Sequence, residues 1–176
     1  MYRQALIRWA GVAAIAGGTL RGVTVLLPAT QTLAIHLTYL TVDLLLLLAV
    51  VGLFVFQRER AGVWGAIGAL LAVLGAGLLI IDDLFSPTFA LYPLAAVVFA
   101  FGLGVLALGA WRAQTLPRWI PAIWLAAVVG GALGLGVAAL QLLFVLAGLL
   151  IAVGFVGVGL YLFAAPDRAI TDASPC

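Results

Sequence analysis

The sequence predicts an all-α integral membrane protein: a bundle of six transmembrane helices with both termini cytoplasmic. Three observations carry this reading. Apolar residues make up 66% of the chain and charged residues 8%, whereas a soluble domain has about 25% charged residues. Polar punctuation divides the apolar sequence into stretches of about 20 residues, the length that crosses a hydrocarbon core. The arginines gather in alternate connections and at the termini, as the retention of basic residues on the cytoplasmic side requires.

Each span follows from its flanking signals. Helix 1 is expected from about Ile7 to Leu27, stopped by Pro28. Arg21 interrupts its apolar run and no small-residue cleavage site precedes Thr32, so it is read as a span and not as a cleaved leader. Helix 2 is expected from about Thr32 to Phe56, ending at the charged segment Gln57 to Arg60. Helix 3 covers about Gly62 to Ile81, with Asp82 and Asp83 at its solvated end and a loop from Leu84 to Leu91. Helix 4 runs from about Tyr92 to Trp111, and helix 5 from about Trp119 to Gly136. The uncharged run from Trp119 to Ala165 would be about 70 Å long as one helix, twice the hydrocarbon thickness. It must fold back once, near Gly134 to Gln141, which leaves helix 6 from about Leu142 to Phe163, closed by Pro166. All 176 residues form one transmembrane domain.

Arg3, Arg8, Arg58, Arg60, Arg112, Arg118 and Arg168 all lie at the termini or in the 2–3 and 4–5 connections. Trp9, Trp64, Trp111 and Trp119 stand beside the same ends, at the headgroup level an indole prefers. The expected location is the bacterial inner membrane. The hairpins of helices 2–3 and 4–5 share an orientation and an Arg-to-Trp turn, which either a duplication or common topology would produce.

Leu116-Pro117-Arg118-Trp119 follows an arginine-bearing helix end and precedes an Ala/Gly-rich span. In this the chain resembles uncharacterised bacterial multi-pass membrane proteins over about residues 104–134. The resemblance implies fold and location, and no particular activity.

Missing residues exclude several chemistries. There is no Lys, hence no Schiff base and no P-loop. Ser86 and Ser174 lie outside the spans, so a serine protease has no intramembrane nucleophile. One His and the lone Cys176 cannot make a zinc site. An aspartyl protease needs two facing carboxyls, and Asp43 is the only one expected well inside a span. No cofactor, metal or catalytic residue is expected, and a net charge of +2 gives no reason to invoke nucleic acid. The expected partners are the lipid bilayer and either another membrane protein or a second copy of the chain.

Small residues mark packing faces, since close backbone approach drives association in lipid. They are Ala10, Ala14, Gly18 and Gly22 in helix 1; Gly65, Gly68, Ala69, Ala72 and Ala76 in helix 3; Ala96, Ala100 and Gly104 in helix 4; and Ala127, Gly130, Gly131 and Gly134 in helix 5. Packing within the chain accounts for them, although a dimer face would have the same appearance. Helices 5 and 6, with no ionisable group between Trp119 and Ala165, are expected to be structural.

One polar constellation remains. Thr32, His36, Tyr39 and Asp43 fall within about 60° of one another on helix 2. Below Asp43 the stripe becomes apolar at Leu46, Leu47 and Val50. Arg21 lies on the small-residue face of the neighbouring helix 1, at a depth between His36 and Asp43. Ionisable residues inside spans are functional candidates by default. Three readings stay open here: a buried Arg21–Asp43 pair that fixes helix register, Arg21 extended alone to the headgroups, or a ligand-binding site of Arg21, His36, Tyr39 and Asp43. Asp82, Asp83, Ser86 and Tyr92 would form its outer rim. A non-enzymatic accessory, sensor or small-ligand-binding component is therefore expected. A small transporter or proton-coupled carrier is the alternative, disfavoured because the inner half has no ionisable residue.

Overall fold

The computed structural model describes residues 2–26, 33–85, 91–136 and 140–171. They form α1 (Tyr2–Leu26), α2 (Leu33–Gln57), α3 (Gly62–Phe85), α4 (Tyr92–Ala113), α5 (Trp119–Gly136) and α6 (Gln141–Thr171). Five of these helices are long and apolar enough to cross a membrane. The exception is α5, whose 18 residues span about 27 Å, just under a hydrocarbon thickness of roughly 30 Å.

Consecutive helices pack on each other around the bundle, and α1 closes the ring against α6. The N-terminus and the α2–α3 and α4–α5 turns share one end, here the proximal end. The opposite ends of the helices form the distal end. At the proximal turns the chain reverses through residues with positive φ, Gly62 at 59° and Gln114 at 50°. Arg3 reaches the α2–α3 turn, pairing with Glu59 at 2.9 Å and donating to the Val55 carbonyl at 3.2 Å. The Arg112 guanidinium lies over the Trp64 ring, 5.4 Å from its centroid. Beneath these surface contacts, Thr115 donates to the buried Gln57 side chain at 3.2 Å, tying the two turns together.

Two seams hold the ring, and both depend on missing side chains. Along α3 and α4, a Cβ added at Gly109 would lie 2.8 Å from the Gly65 nitrogen, and Gly68, Gly75 and Gly102 face backbone at still closer range. Along α1 and α6, a Cβ at Gly18 would lie 2.8 Å from the Ala152 carbonyl oxygen, and Gly11 and Gly159 face each other's carbonyls. Backbones this close replace hydrophobic drive with dispersion contact. The small-residue positions thus serve packing inside the chain. The α4 seam differs from expectation: it runs through Gly102 and Gly109, while Gly104 meets Val128 of α5 and Ala96 and Ala100 line a cavity.

The proximal half of the interior is solid. Phe155 of α6 sits at its centre, parallel to Phe99 at 6.4 Å and tilted against Trp124 at 5.1 Å. Leu53, Leu103, Leu106, Ile120 and Leu162 close around them, fully buried.

Three expected boundaries shift. Helix α1 begins at Tyr2, ahead of the expected Ile7. Helix α3 continues past Ile81 to Phe85, which carries Asp82 and Asp83 into the bundle instead of leaving them at a solvated end. Helix α6 continues through Pro166 to Thr171. A proline's fixed φ is compatible with helical backbone, so the helix is not obliged to stop there.

Candidate functional site

The distal half contains a cavity of about 250 Å³. Arg21, Thr24 and Val25 of α1 and Tyr39, Asp43 and Leu46 of α2 form one side of it. Leu79 of α3 and Tyr92, Ala96, Phe99 and Ala100 of α4 form another. Phe144, Val145, Ala147, Gly148 and Ile151 of α6 complete the wall. Helical periodicity explains the α2 contribution, because Tyr39, Asp43 and Leu46 occupy one stripe. That stripe turns apolar at Leu46, where the solid proximal core begins.

Arg21 extends across the bundle and donates from Nη2 to the Tyr92 hydroxyl at 3.1 Å. Its helix is braced one turn further on, where Thr24 donates to the Arg21 carbonyl at 2.9 Å. Among the described residues no ion pair joins Arg21 to Asp43, so the expected direct pair is replaced by an Arg21–Tyr92 bond. Asp43 still lies within electrostatic reach of Arg21. Its own contact is with another acid: the Asp43 carboxyl, 7% exposed, is in hydrogen-bonding contact with the Asp83 carboxyl of α3. An ionised carboxylate only accepts, so a hydrogen bond between two carboxyls requires a proton on one of them. One Asp83 oxygen, Oδ2, is buried without a partner.

The adjacent acids Asp82 and Asp83 separate by about 100° around α3 and do different work. Asp83 turns to α2. Asp82, 1% exposed, turns to α4, where its Oδ1 accepts the Leu91 amide at 3.0 Å and its Oδ2 is unpartnered. Asp82 therefore ties the start of α4 to α3 and does not line the cavity. His36 is half-buried and lies within electrostatic reach of Asp83, outside the cavity wall. Tyr39 lies within reach of Arg21, Tyr92, Asp83 and Asp43 together. Thr32 and Ser86 lie outside the described residues.

One expectation is corrected by this geometry. Asp43 is not the only inward acid, because the extension of α3 brings Asp83 to it; the argument against a carboxyl pair fails on its premise. Helix α6, expected to be structural, also supplies Phe144, Val145, Gly148 and Ile151 to the cavity wall. Its sequence signal, a Gly and small apolar residues, is the same one that marks ordinary helix packing, and only the fold distinguishes the two. Among the described residues no group of three or more His, Cys, Asp or Glu side chains is placed to hold a metal ion.

The arrangement can do three things chemically. It can donate hydrogen bonds from a fixed guanidinium and tyrosine hydroxyls, accept them at Asp43, and hold a proton between two carboxyls. Comparison of the chain with protein-family models, with curated proteins and with solved structures finds no match.

Proposed function

We propose that this is a multi-pass membrane protein of the bacterial inner membrane whose distal cavity binds a small ligand, without catalysing its turnover. The proximal end, with its arginines, faces the cytoplasm in this reading, and the cavity lies in the opposite half of the bilayer. The observation that carries the proposal is the cavity itself: Arg21, Tyr39, Asp43 and Tyr92 converge on one space whose remaining lining is mostly apolar. A concave, largely apolar site with a few convergent polar groups is the usual form of a ligand site. A purely structural charge pair would instead be packed shut.

The Asp43–Asp83 contact favours a second reading, a proton-coupled carrier, since a shared proton is a means of linking ligand to protonation. Among the described residues the half around Phe155 buries no charged side chain, so the binding reading leads. The same acid pair would serve a hydrolytic dyad, but a cavity of about 250 Å³ has no room for a polypeptide segment.

The test is native mass spectrometry of protein extracted from its own membrane in mild detergent. A bound species of defined mass, lost in Arg21→Leu, supports the reading. A ligand-free protein at every extraction condition contradicts it.

A further inference from the structure

The two proximal turns carry four of the chain's eight basic residues. Arg58 and Arg60 stand in the α2–α3 turn, Arg112 and Arg118 flank the α4–α5 turn, and all four are exposed. Glu59 is the one acid in these two segments. It is engaged by Arg3 at 2.9 Å and stands 4.0 Å from the Arg58 Nε. Among the described residues Arg60, Arg112 and Arg118 have no carboxylate partner.

Retention of arginines on one side of a membrane requires only that they lie in the right connections. It does not require those connections to meet or to be ordered. Here they are both. The α3–α4 seam brings Gly109 against Gly65. The Arg60 and Ala61 amides both donate to the Gln57 carbonyl at 2.9 Å, and the Gln57 side chain accepts from Thr115 at 3.2 Å. Gln57 therefore anchors both turns, one by its carbonyl and the other by its side chain. Arg112 is supported by the Trp64 ring of α3, 5.4 Å from its guanidinium carbon. A ring face answers the charge and accepts none of the guanidinium's N–H donors in the ring plane, so these stay available to an anion. Trp64, Trp111 and Trp119 stand half-exposed beside the arginines.

We infer that the two tied turns form one binding site for the phosphate of an anionic phospholipid, with Arg112 and Arg60, one from each turn, as its ligands. This rests on the membrane part of the proposed function and is independent of the distal cavity. Three features fix the partner class. The planar guanidinium fork matches phosphate oxygens. The turns that carry it are ordered without a ligand, which lowers the cost of binding. Indoles on both turns set the site at headgroup depth, where lipid phosphates lie. The excess of arginine over acid repels the ammonium of a zwitterionic lipid, so the head carries a net negative charge.

The test is native mass spectrometry of the full-length protein in neutral detergent, titrated with phosphatidylglycerol and, separately, with phosphatidylcholine. The parent should bind phosphatidylglycerol at least about fivefold more tightly. Arg112→Gln and Arg60→Gln should each weaken it by about fivefold, the contribution of one basic side chain at an anionic surface. Trp64→Leu keeps every charge, yet should weaken it by at least about twofold because Arg112 loses its support. Arg8→Gln removes the same charge from α1, which packs on α2 and α6, and should change binding by less than about twofold. Equal losses in Arg8→Gln and Arg112→Gln, with Trp64→Leu silent, reduce the effect to the general charge of this end and overturn the site. Equal binding of the two lipids by the parent overturns it as well. So does displacement of phosphatidylglycerol by inorganic phosphate or by polyglutamate, which would make the occupant a free anion or an acidic protein. If Arg112→Gln does not fold in lipid-free detergent, Arg60→Gln and Trp64→Leu decide by the same readings. A chain that fractionates away from membranes removes the membrane reading and this site together; a membrane-extracted chain without lipid preference removes the site alone.

Discussion

Arg21 of α1 donates to the hydroxyl of Tyr92 in α4 at 3.1 Å, and through this bond the two helices that face each other across the cavity are joined. The guanidinium is held at the cavity wall by a neutral partner, which leaves its charge available. Asp43, which the helical spacing would pair with Arg21, faces Asp83 instead.

A double-mutant cycle separates these two arrangements. Hydrogen bonds to charged groups contribute about 1.5–3 kcal/mol, and coupled residues deviate from additivity by about 0.5–3 kcal/mol. Arg21→Leu and Tyr92→Phe should therefore couple by at least about 1 kcal/mol in unfolding experiments. Arg21→Leu and Asp43→Leu should couple more weakly. Stronger coupling for the second cycle would restore the direct ion pair.

The carboxyl pair makes a prediction about amides. Asparagine provides a donor without needing a proton, so Asp83→Asn should retain stability within about 0.5 kcal/mol of the parent. Asp83→Leu leaves Asp43 buried without its partner, a loss of about 1–3 kcal/mol for an unsatisfied polar group. Thermal unfolding in detergent distinguishes them; equal damage from both replacements would show that the two carboxyls do not share a hydrogen bond.

The glycine seam predicts opposite outcomes at two helical glycines of α3. Gly68 meets the backbone of Leu106, whereas an added Cβ at Gly77 meets nothing within 4 Å. Gly68→Val should destabilise by at least about 1–3 kcal/mol through overpacking. Gly77→Ala should be neutral or stabilise by up to about 1 kcal/mol through helix propensity. Melting temperatures that fall equally for both would contradict the seam.

The proposed orientation is open to reporter fusions. Fusions after Gln31, Pro87 and Gln141 should read periplasmic, and those after Arg60, Gln114 and Cys176 cytoplasmic. A cytoplasmic signal at Gln141 would reject a membrane-spanning α5–α6 hairpin.

Much of this fold was legible because lipid imposes simple rules. Spans show as apolar runs, and Trp119–Gly136 was delimited correctly by an arginine on one side and glycines on the other. The Tyr39–Asp43 stripe was readable because helical spacing alone aligns it. What the sequence did not reveal was partner choice. Whether Arg21 meets Tyr92 or Asp43 depends on which helix lies opposite, and Tyr92 is 71 residues away. Asp83 was misplaced because two adjacent acids look like a helix end, and only the continuation of α3 to Phe85 turns one of them inward. Phe144 and Gly148 were invisible as site residues because apolar cavity walls and apolar packing faces have the same composition.

The central claim, that the distal cavity is a binding site, is tested most directly by native mass spectrometry of Ala96→Leu beside the parent protein. Leucine at this position occupies cavity space one turn from Tyr92 and leaves Arg21, Tyr39 and Asp43 in place. The account predicts an equal or higher melting temperature together with loss of the bound species. Retention of that species at parental occupancy in a stably folded Ala96→Leu protein would contradict it.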